Sequence, residues 1–255
     1  MLFDCHIHSS ASPDGRMSPE EAIAITEKLG IGCVFTEHID YGPQGEMFFC
    51  ADLEVYPRDY LQYKSDRIGL GLEIGLRAEC VELNQAIAGN PGLDYIAGSI
   101  HVTNGIDIGY DPDSFFKGGM ETYAQHLDYT REMIEANEFI DALAHIDYIS
   151  RYSPFPEKDL FYDKYADSYD ALLRALVERG KLLELSTRRL RDKLARDNLF
   201  AIFSRYRDLG GRYVVIGSDA HTTGQLGYKF GTALEMLNEI GLVPAYFNKR
   251  RMILC

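Results

Sequence analysis

The chain has 255 residues, of which 26 are Lys or Arg and 39 are Asp or Glu, so its formal net charge is −13. Its 46% hydrophobic and 25% charged residues exclude a disordered chain and fit one large α/β domain with a sizeable core. The negative charge argues against a protein that mainly holds a nucleic-acid backbone, whereas a local basic pocket or bound metal ions still permit a small phosphorylated substrate.

Seven short apolar segments predict β-strands, and longer segments with helical patterns lie between them. The predicted strands are 2–8, 33–38, 72–76, 94–101, 142–145, 182–186 and 213–219. The first helix begins after Ser18, because this residue can cap it, Pro19 suits the first helical position and Glu21 completes a capping box. Further predicted helices are 123–136, 165–179, 197–209 and 233–240. Strands joined by helical crossovers predict a mostly parallel sheet, open or closed into a barrel, within one domain.

Cysteine usage and hydropathy bear on the compartment. The five cysteines are scattered without CxxC spacing, which predicts reduced thiols and neither disulfides nor a zinc knuckle. No segment approaches the roughly 18 apolar residues of a membrane span, and the first residues lack the features of a secretory signal. We therefore expect a cytoplasmic protein without a membrane or nucleic-acid partner, and the sequence leaves its oligomeric state open.

Three features lie outside the regular strand and helix pattern. The segment 40–57, rich in Gly, Phe and Tyr, is the best candidate for a long functional loop. The basic run 248–251 is interpreted as a solvated terminus. Asp4, inside the first predicted strand, either orients a metal-bound imidazole or merely begins the strand.

Six of the seven histidines fall at or just after the end of a predicted strand. They are His6, His8, His38, His101, His145 and His221. The seventh, His126, lies in a predicted helix and is interpreted as a structural residue. Because ligands collect at the C-terminal ends of strands in parallel α/β sheets, we expect the six strand-end imidazoles to share one site.

The spacing of these residues indicates metal binding. His6 and His8 are two apart on a strand and leave the same face, and Asp219 with His221 repeats this geometry. Glu73 lies in an apolar segment, where a buried carboxylate is costly unless a cation or hydrogen bonds compensate. Imidazole and carboxylate ligands without thiolate suit Zn, Mn or Fe. The set is too large for one tetrahedral ion, so it predicts two or three ions.

The same residues resemble the motifs of the PHP (polymerase and histidinol phosphatase) superfamily. The opening motif matches Asp4-Cys5-His6-Ile7-His8-Ser9 with Asp14-Gly15, and the remaining motifs follow in order. They match Thr36-Glu37-His38, Glu73, Ser99-Ile100-His101, Ala144-His145 and Ser218-Asp219-Ala220-His221. The resemblance covers essentially the whole chain. It implies a single domain, 1–255, folded as a distorted TIM-like (β/α)7 barrel with a trinuclear metal centre at its C-terminal mouth.

The resemblance also implies which residues hold each ion. The first group is His6, His8, Glu73 and Asp219. The second group shares Glu73 and adds His101 and His145. The third group is His38 and His221, with Asp14 at a position where some relatives have a histidine. A turn before Gly15 explains Asp14 equally well.

Within the superfamily, the chain resembles the histidinol-phosphatase branch, which implies hydrolysis of a phosphomonoester, with L-histidinol phosphate as the expected substrate. Glu73 and Asp219 are the expected catalytic residues, and Arg151 and Arg191 are expected to bind the phosphate. The segment 186–189 departs from the family, because Ser186 replaces an asparagine and Arg188-Arg189 replace small residues.

Other functions stay open on sequence grounds. The chain could act on another phosphomonoester, such as a nucleotide or a phosphotyrosine. It could instead be a phosphodiesterase, against which its acidic charge argues. A catalytically inactive metal-binding scaffold and a C–N hydrolase are further alternatives.

Overall fold

The alternation of strands and helices is borne out in a computed structural model, which describes residues 1–42 and 44–255. The strands are β1 (Phe3–Ile7), β2 (Gly32–Tyr41), β3 (Met47–Cys50), β4 (Ile68–Gly75), β5 (Tyr95–Ser99), β6 (Val102–Thr103), β7 (Ile106–Asp107), β8 (Ala142–Leu143), β9 (Leu182–Ser186), β10 (Tyr213–Gly217), β11 (Val243–Asn248) and β12 (Arg251–Leu254). The α-helices are α1 (Pro19–Leu29), α2 (Val81–Ala88), α3 (Pro112–Phe115), α4 (Glu121–Ala136), α5 (Ala166–Glu178), α6 (Lys193–Asp208) and α7 (Phe230–Ile240). All seven predicted strands and all five predicted helices form.

Local sequence signals explain where α1 begins and ends. Ser18 Oγ accepts a hydrogen bond from the Glu21 backbone N–H, and the Ser18 N–H donates to the Glu21 carboxylate at 2.9 Å. This reciprocal capping box satisfies two N–H groups that have no partner within the helix. Gly30 ends the helix with a φ of +70°, a conformation that glycine adopts without steric cost.

The main sheet is largely parallel, as in other folds in which helices connect successive strands. Its order is β1-β2-β4-β5-β8-β9-β10-β11-β12, with β3 and β12 as antiparallel additions. The register of β2 and β4 sets His38 opposite Glu73, so two predicted ligands start side by side. The fold is therefore a mixed α/β domain with a parallel sheet.

The predicted closure into a barrel is not confirmed. In the described residues β1 and β10 share no ladder, and only an isolated bridge pairs Ile7 with Ala220. Two backbone hydrogen bonds flank that bridge, from His8 N–H to Ala220 O at 2.8 Å and from Asp219 N–H to His6 O at 2.9 Å. Regular pairing ends here because β10 stops at Gly217 and Asp219 adopts a φ of +54°.

Alternating side chains divide the sheet into two faces. One face packs with the helices in a large apolar cluster. The other, which we call the inner face, carries a smaller cluster made of Phe3, Cys5, Val34, Tyr95, Ala97, Ala142, Ala144, Leu182, Val215, Ala245 and Phe247. On β4, Leu72 and Ile74 belong to the large cluster, so Glu73 between them points to the inner face.

The interpretation of 248–251 as a solvated terminus is wrong for Arg250. This residue lies in the turn between β11 and β12, where it adopts a φ of +61°. Its Nε lies 2.7 Å from Asp141 Oδ2, and its guanidinium donates to the backbone oxygens of Ala88 and Phe139. The preceding Lys249 N–H donates to Asp94 Oδ1 at 2.8 Å. The hairpin thus attaches to the residues that precede β5 and β8, at the N-terminal ends of the strands.

The candidate loop 40–57 contains a strand in its described part. β3 pairs antiparallel with the end of β2, and its Phe48 and Phe49 line a large cavity. Phe48 is 60% exposed. Among the described residues, no helix combines the length and apolar character that crossing a bilayer requires.

Candidate metal centre

A fully buried carboxylate lies at the centre of the predicted site. The Oε1 of Glu73 is 2.7 Å from His145 Nε2 and 3.2 Å from His101 Nε2. Its Oε2 is 2.9 Å from His38 Nδ1 and 3.3 Å from His6 Nε2. Burial alone would raise the pKa of Glu73, but the neighbouring imidazoles hold that pKa well below its usual value. Four strand ends therefore converge on one carboxylate.

A second grouping joins β1 to the segment after β10. His6 and His8 leave the same face, and their Nε2 atoms lie 3.0 Å apart. Asp219 Oδ1, contributed by the segment after β10, is 3.6 Å from His8 Nε2 and 3.9 Å from His6 Nε2. Burial, reinforced by the neighbouring His38, lowers the pKa of His8 well below its usual value. These side chains direct ring nitrogens and a carboxylate oxygen to a shared point.

The third grouping includes Asp14. The sequence analysis left its role as a ligand open, because a turn before Gly15 explains this residue equally well. Asp14 Oδ2 is 2.8 Å from His221 Nε2, and its Oδ1 is 3.5 Å from His38 Nε2. Burial would raise the pKa of Asp14, but its contacts with His221 and His38 lower it. Every residue expected to hold an ion thus lies in one continuous cluster, within which the three groups share neighbours.

Two carboxylates behind the cluster were missed by the sequence analysis. Glu184 Oε2 is 2.8 Å from His6 Nδ1, and Asp40 Oδ1 is 2.9 Å from His101 Nδ1. Burial would lower the pKa of His6, but Glu184 and Glu73 raise it well above its usual value. Carboxylates in this position orient an imidazole whose other nitrogen faces the site. The signal was available, since Glu184 interrupts an apolar strand as Glu73 does, and Asp40 is two residues after His38.

Asp4 contacts no imidazole in the structure. Its carboxylate accepts hydrogen bonds from Ser218 Oγ at 2.6 Å, Ser218 N–H at 2.9 Å and Gly227 N–H at 3.0 Å. Burial raises the pKa of Asp4 to about 6. Asp4 therefore joins β1 to the segment after β10, which carries Asp219 and His221, and so positions that segment.

Two of the site residues have backbone conformations that are uncommon for residues other than glycine. The φ angle is +54° at Asp219 and +20° at His145. Such conformations cost free energy and tend to persist where the surrounding structure holds a functional side chain in place. His145 follows the end of β8, and Asp219 follows the end of β10.

A cavity of about 1060 Å³ opens above the cluster. Its arginines are Arg16, Arg151, Arg188, Arg189 and Arg191, and its aromatic residues are Phe48, Phe49, Tyr110, Tyr148 and Tyr152. Arg151 Nη1 lies 2.7 Å from Asp219 Oδ2. Burial would raise the pKa of Asp219, but the Arg151 guanidinium holds it well below its usual value. The exposed Arg191 borders the same cavity.

In contrast, His126 lies outside the site, buried on α4 and 3.0 Å from Thr103 Oγ1.

The donor set fits divalent metal ions. Several buried atoms of the cluster have no hydrogen-bond partner among residues 1–42 and 44–255, and they include Glu73 Oε2, His38 Nε2 and His8 Nδ1. Glu73 Oε2 is close to His38 Nδ1, but the two atoms are not in hydrogen-bond geometry. Buried polar atoms without partners are costly, and cations satisfy imidazole and carboxylate lone pairs directly. Nitrogen and oxygen ligands of this kind are those that zinc, manganese and iron accept.

Comparisons with known proteins agree with this chemistry. The family model described as the PHP domain matches residues 4–188. The chain therefore belongs to the PHP domain family, which confirms the resemblance seen in its motifs.

Two relatives of the chain are named as probable histidinol-phosphatases, and a solved structure of histidinol phosphate phosphatase is similar to it. The chain is 40% identical over 256 residues to a probable histidinol-phosphatase of Clostridium acetobutylicum, and the match covers 99% of both chains. It is 31% identical to a probable histidinol-phosphatase of Thermotoga maritima, covering 89% of this chain and 87% of that one. A crystal structure of histidinol phosphate phosphatase from Lactococcus lactis, complexed with zinc, L-histidinol and phosphate, has a TM-score of 0.90 at 26% identity. That match covers 99% of this chain and 98% of the other.

Proposed function

We propose that this chain is a metal-dependent phosphatase that hydrolyses L-histidinol phosphate to L-histidinol and inorganic phosphate. The observation that carries the proposal is the buried Glu73 carboxylate, contacted by imidazoles from four strand ends beneath an arginine-lined cavity. The names of the relatives and the ligands of the Lactococcus lactis structure support the same substrate.

The proposed centre holds three divalent ions, which are zinc, manganese or iron. The first is assigned to His6, His8, Glu73 and Asp219. The second is assigned to Glu73, His101 and His145. The third is assigned to Asp14, His38 and His221. This assignment is supported by four groups of side chains whose ligand atoms lie within 4.8 Å of one another in each group. They are His6 with His8 and Asp219, His6 with Glu73 and His145, His8 with His38 and His221, and His38 with Asp40 and His101.

The protein's own residues have distinct tasks in this reaction. Divalent ions held by these residues would lower the pKa of a water molecule and neutralise the negative charge of the phosphate. That charge is what makes a phosphomonoester difficult for a nucleophile to attack. Glu73 on β4 and Asp219 after β10 supply carboxylate ligands from two different parts of the sheet. Arg151 and Arg191 bind phosphate oxygens by charge-assisted hydrogen bonds. Glu184 and Asp40 keep His6 and His101 oriented.

The architecture proposed for this function is a distorted (β/α)7 barrel that comprises residues 1–255 as one domain. Support comes from the bridge between Ile7 and Ala220 and from its two flanking hydrogen bonds, which bring β1 next to the end of β10. Closure at this edge sets His6 and Asp219 on one site although 213 positions separate them in the chain.

The proposal is tested by measuring phosphate release from separate preparations loaded with zinc, manganese and iron. The substrates are histidinol phosphate, a nucleoside monophosphate, a phosphotyrosine peptide and a phosphodiester. We expect turnover to be confined to histidinol phosphate and to be abolished in Glu73→Ala. Preference for another monoester would replace the substrate but retain the phosphatase chemistry. Metal binding without turnover on any substrate would contradict the enzyme proposal.

A further inference from the structure

Two guanidinium groups share one carboxylate at the edge of the site. Arg188 Nη1 lies 3.1 Å from Asp219 Oδ2 and 3.3 Å from the Asp219 backbone oxygen. Arg151 Nη1 approaches the same Oδ2 at 2.7 Å. Arg188 thus lies where the cavity meets the metal cluster, and its side chain is 42% exposed. Two guanidinium groups therefore share a single oxygen of one carboxylate at this corner, and both have further N–H groups available.

The loop after β9 is held so that Arg188 faces this corner. Its neighbour Arg189 also borders the cavity, but it forms ion pairs with Asp147 at 3.2 Å and Asp159 at 2.7 Å. The Arg189 side chain is largely buried between these two acids. In addition, the Thr187 N–H donates to Gly217 O at 2.8 Å and fixes the loop to the end of β10. The two consecutive arginines therefore have different tasks, since Arg189 is neutralised within the protein and Arg188 is not.

We propose that Arg188 binds the substrate phosphate together with Arg151, and that Arg189 is the positioning residue that directs it there. An arginine side chain offers several N–H donors in a planar fork, so Arg188 can hold Asp219 and still donate to a phosphate oxygen. This inference rests on the proposed function for the identity of the substrate. The binding of phosphate itself is independent of turnover.

The geometry ranks Arg188 above Arg191 as a phosphate ligand. Both side chains are exposed, but Arg188 reaches an oxygen of Asp219 beside the imidazoles, whereas Arg191 borders the cavity. Because Arg188 lies next to the proposed metal ligands, its guanidinium should contribute more to phosphate affinity than that of Arg191. The sequence departure at 188–189 then has a physical role, because it adds a cation to the site and an anchor for it.

The test compares Arg188→Gln, Arg191→Gln and Arg174→Gln in the zinc-loaded protein. Arg174 serves as the control because it is an exposed arginine on α5 with a weak contact to Asp170 at 3.9 Å. Isothermal titration calorimetry gives the dissociation constant of inorganic phosphate, elemental analysis gives the zinc content, and steady-state kinetics with histidinol phosphate give KM and kcat. Arg189→Gln and Arg189→Lys test the positioning role.

We expect Arg188→Gln to weaken phosphate binding by roughly 10- to 100-fold at unchanged zinc content, the loss typical of one charged hydrogen-bonding group. Arg191→Gln should lose less, and Arg174→Gln should match the wild type within about twofold. Arg189→Gln should raise KM and the phosphate dissociation constant, and Arg189→Lys should restore part of the affinity.

Three results would overturn the proposal. They are phosphate affinity unchanged in Arg188→Gln, a larger loss in Arg191→Gln, and a loss in Arg188→Gln that merely follows released zinc. If the wild type binds phosphate through Arg188 but does not hydrolyse histidinol phosphate, the assigned substrate fails and the phosphate site stands. Absence of phosphate binding by the zinc-loaded wild type would contradict both.

Discussion

The two ends of the inner face both contain buried charges, but they satisfy them differently. At the N-terminal ends of the strands, Asp141 pairs with Arg250, and Asp94 pairs with Lys64 at 2.9 Å. At the C-terminal ends, Glu73 and its imidazoles leave buried ring nitrogens and a carboxylate oxygen without hydrogen-bond partners. Charges that are paired within the chain need no bound ion. The cluster at the C-terminal ends of the strands instead requires bound cations to satisfy its buried polar atoms.

Four predictions can break or sharpen this contrast. The largest effect is expected for Glu73→Gln, which keeps the shape of the side chain and removes its charge. Activity should fall by more than about 100-fold, because losing even an outer partner of a metal ligand typically costs 10- to 100-fold. Zinc should raise the Tm of the wild type far more than that of the variant, since ligands that bind only the folded state stabilise it. Differential scanning calorimetry with and without zinc measures this, and equal zinc-induced shifts would refute the central place of Glu73.

At the opposite end, Arg250→Gln should reduce stability and leave the chemistry intact. Losing the partner of the mostly buried Asp141 should lower the free energy of unfolding by about 2–3 kcal/mol, with or without zinc. Urea unfolding measures the loss, and Arg251→Gln is the matched control because Arg251 is exposed on β12. A fall in kcat of the folded Arg250→Gln protein would show that the two ends are not independent.

Glu184→Gln tests whether the carboxylates behind the cluster contribute to metal binding at the C-terminal ends of the strands. Because Glu184 orients His6 through Nδ1, the variant should bind zinc roughly 10- to 100-fold more weakly. Competition with a chromogenic chelator measures the affinity, with Glu178→Gln, an exposed carboxylate on α5, as the control. Zinc affinity equal to that of the control would reduce Glu184 to a packing role.

The smallest effect is expected from His126, which is buried outside both ends. Burial lowers its pKa to about 4, against 6.5 in the unfolded chain. The unfolded state therefore binds a proton first as the pH falls, so this stability is complete above pH 6.5 and is lost between pH 6.5 and 4. Between about pH 7.5 and 5.5 the free energy of unfolding should fall by about 1 kcal/mol more in the wild type than in His126→Gln. Urea titrations in EDTA measure this difference, and parallel pH profiles would contradict it.

The sequence was sufficient for most of the fold because its signals are local. Each of the seven predicted strands is a short apolar run, and α1 is bounded by Ser18 and Gly30. The β11–β12 hairpin was missed because it is anchored by the ion pair between Arg250 and Asp141, which lies 109 positions away in the chain. The predicted closure into a barrel is not confirmed, and it too would depend on a long-range contact, of which the described residues form only the bridge between Ile7 and Ala220.

The same distinction applies to the site. Histidines at strand ends could be assigned to one cluster because parallel strands carry their C-terminal ends to the same edge. Glu184 and Asp40 were overlooked although the sequence carried a signal for both, and their pairing with His6 and His101 became evident only in the structure. The sequence could not indicate that Arg188 contacts Asp219. The orientation of this loop depends on the contacts of Arg189 with Asp147 and Asp159.

The most direct test of the central claim is the number of divalent ions that the folded chain retains, measured by native mass spectrometry. The proposed arrangement of ligands predicts three zinc ions on the wild type and fewer on Glu73→Gln, with Arg250→Gln unchanged. A wild-type chain that retains no divalent ion yet releases phosphate would contradict the account, as would equal retention in Glu73→Gln.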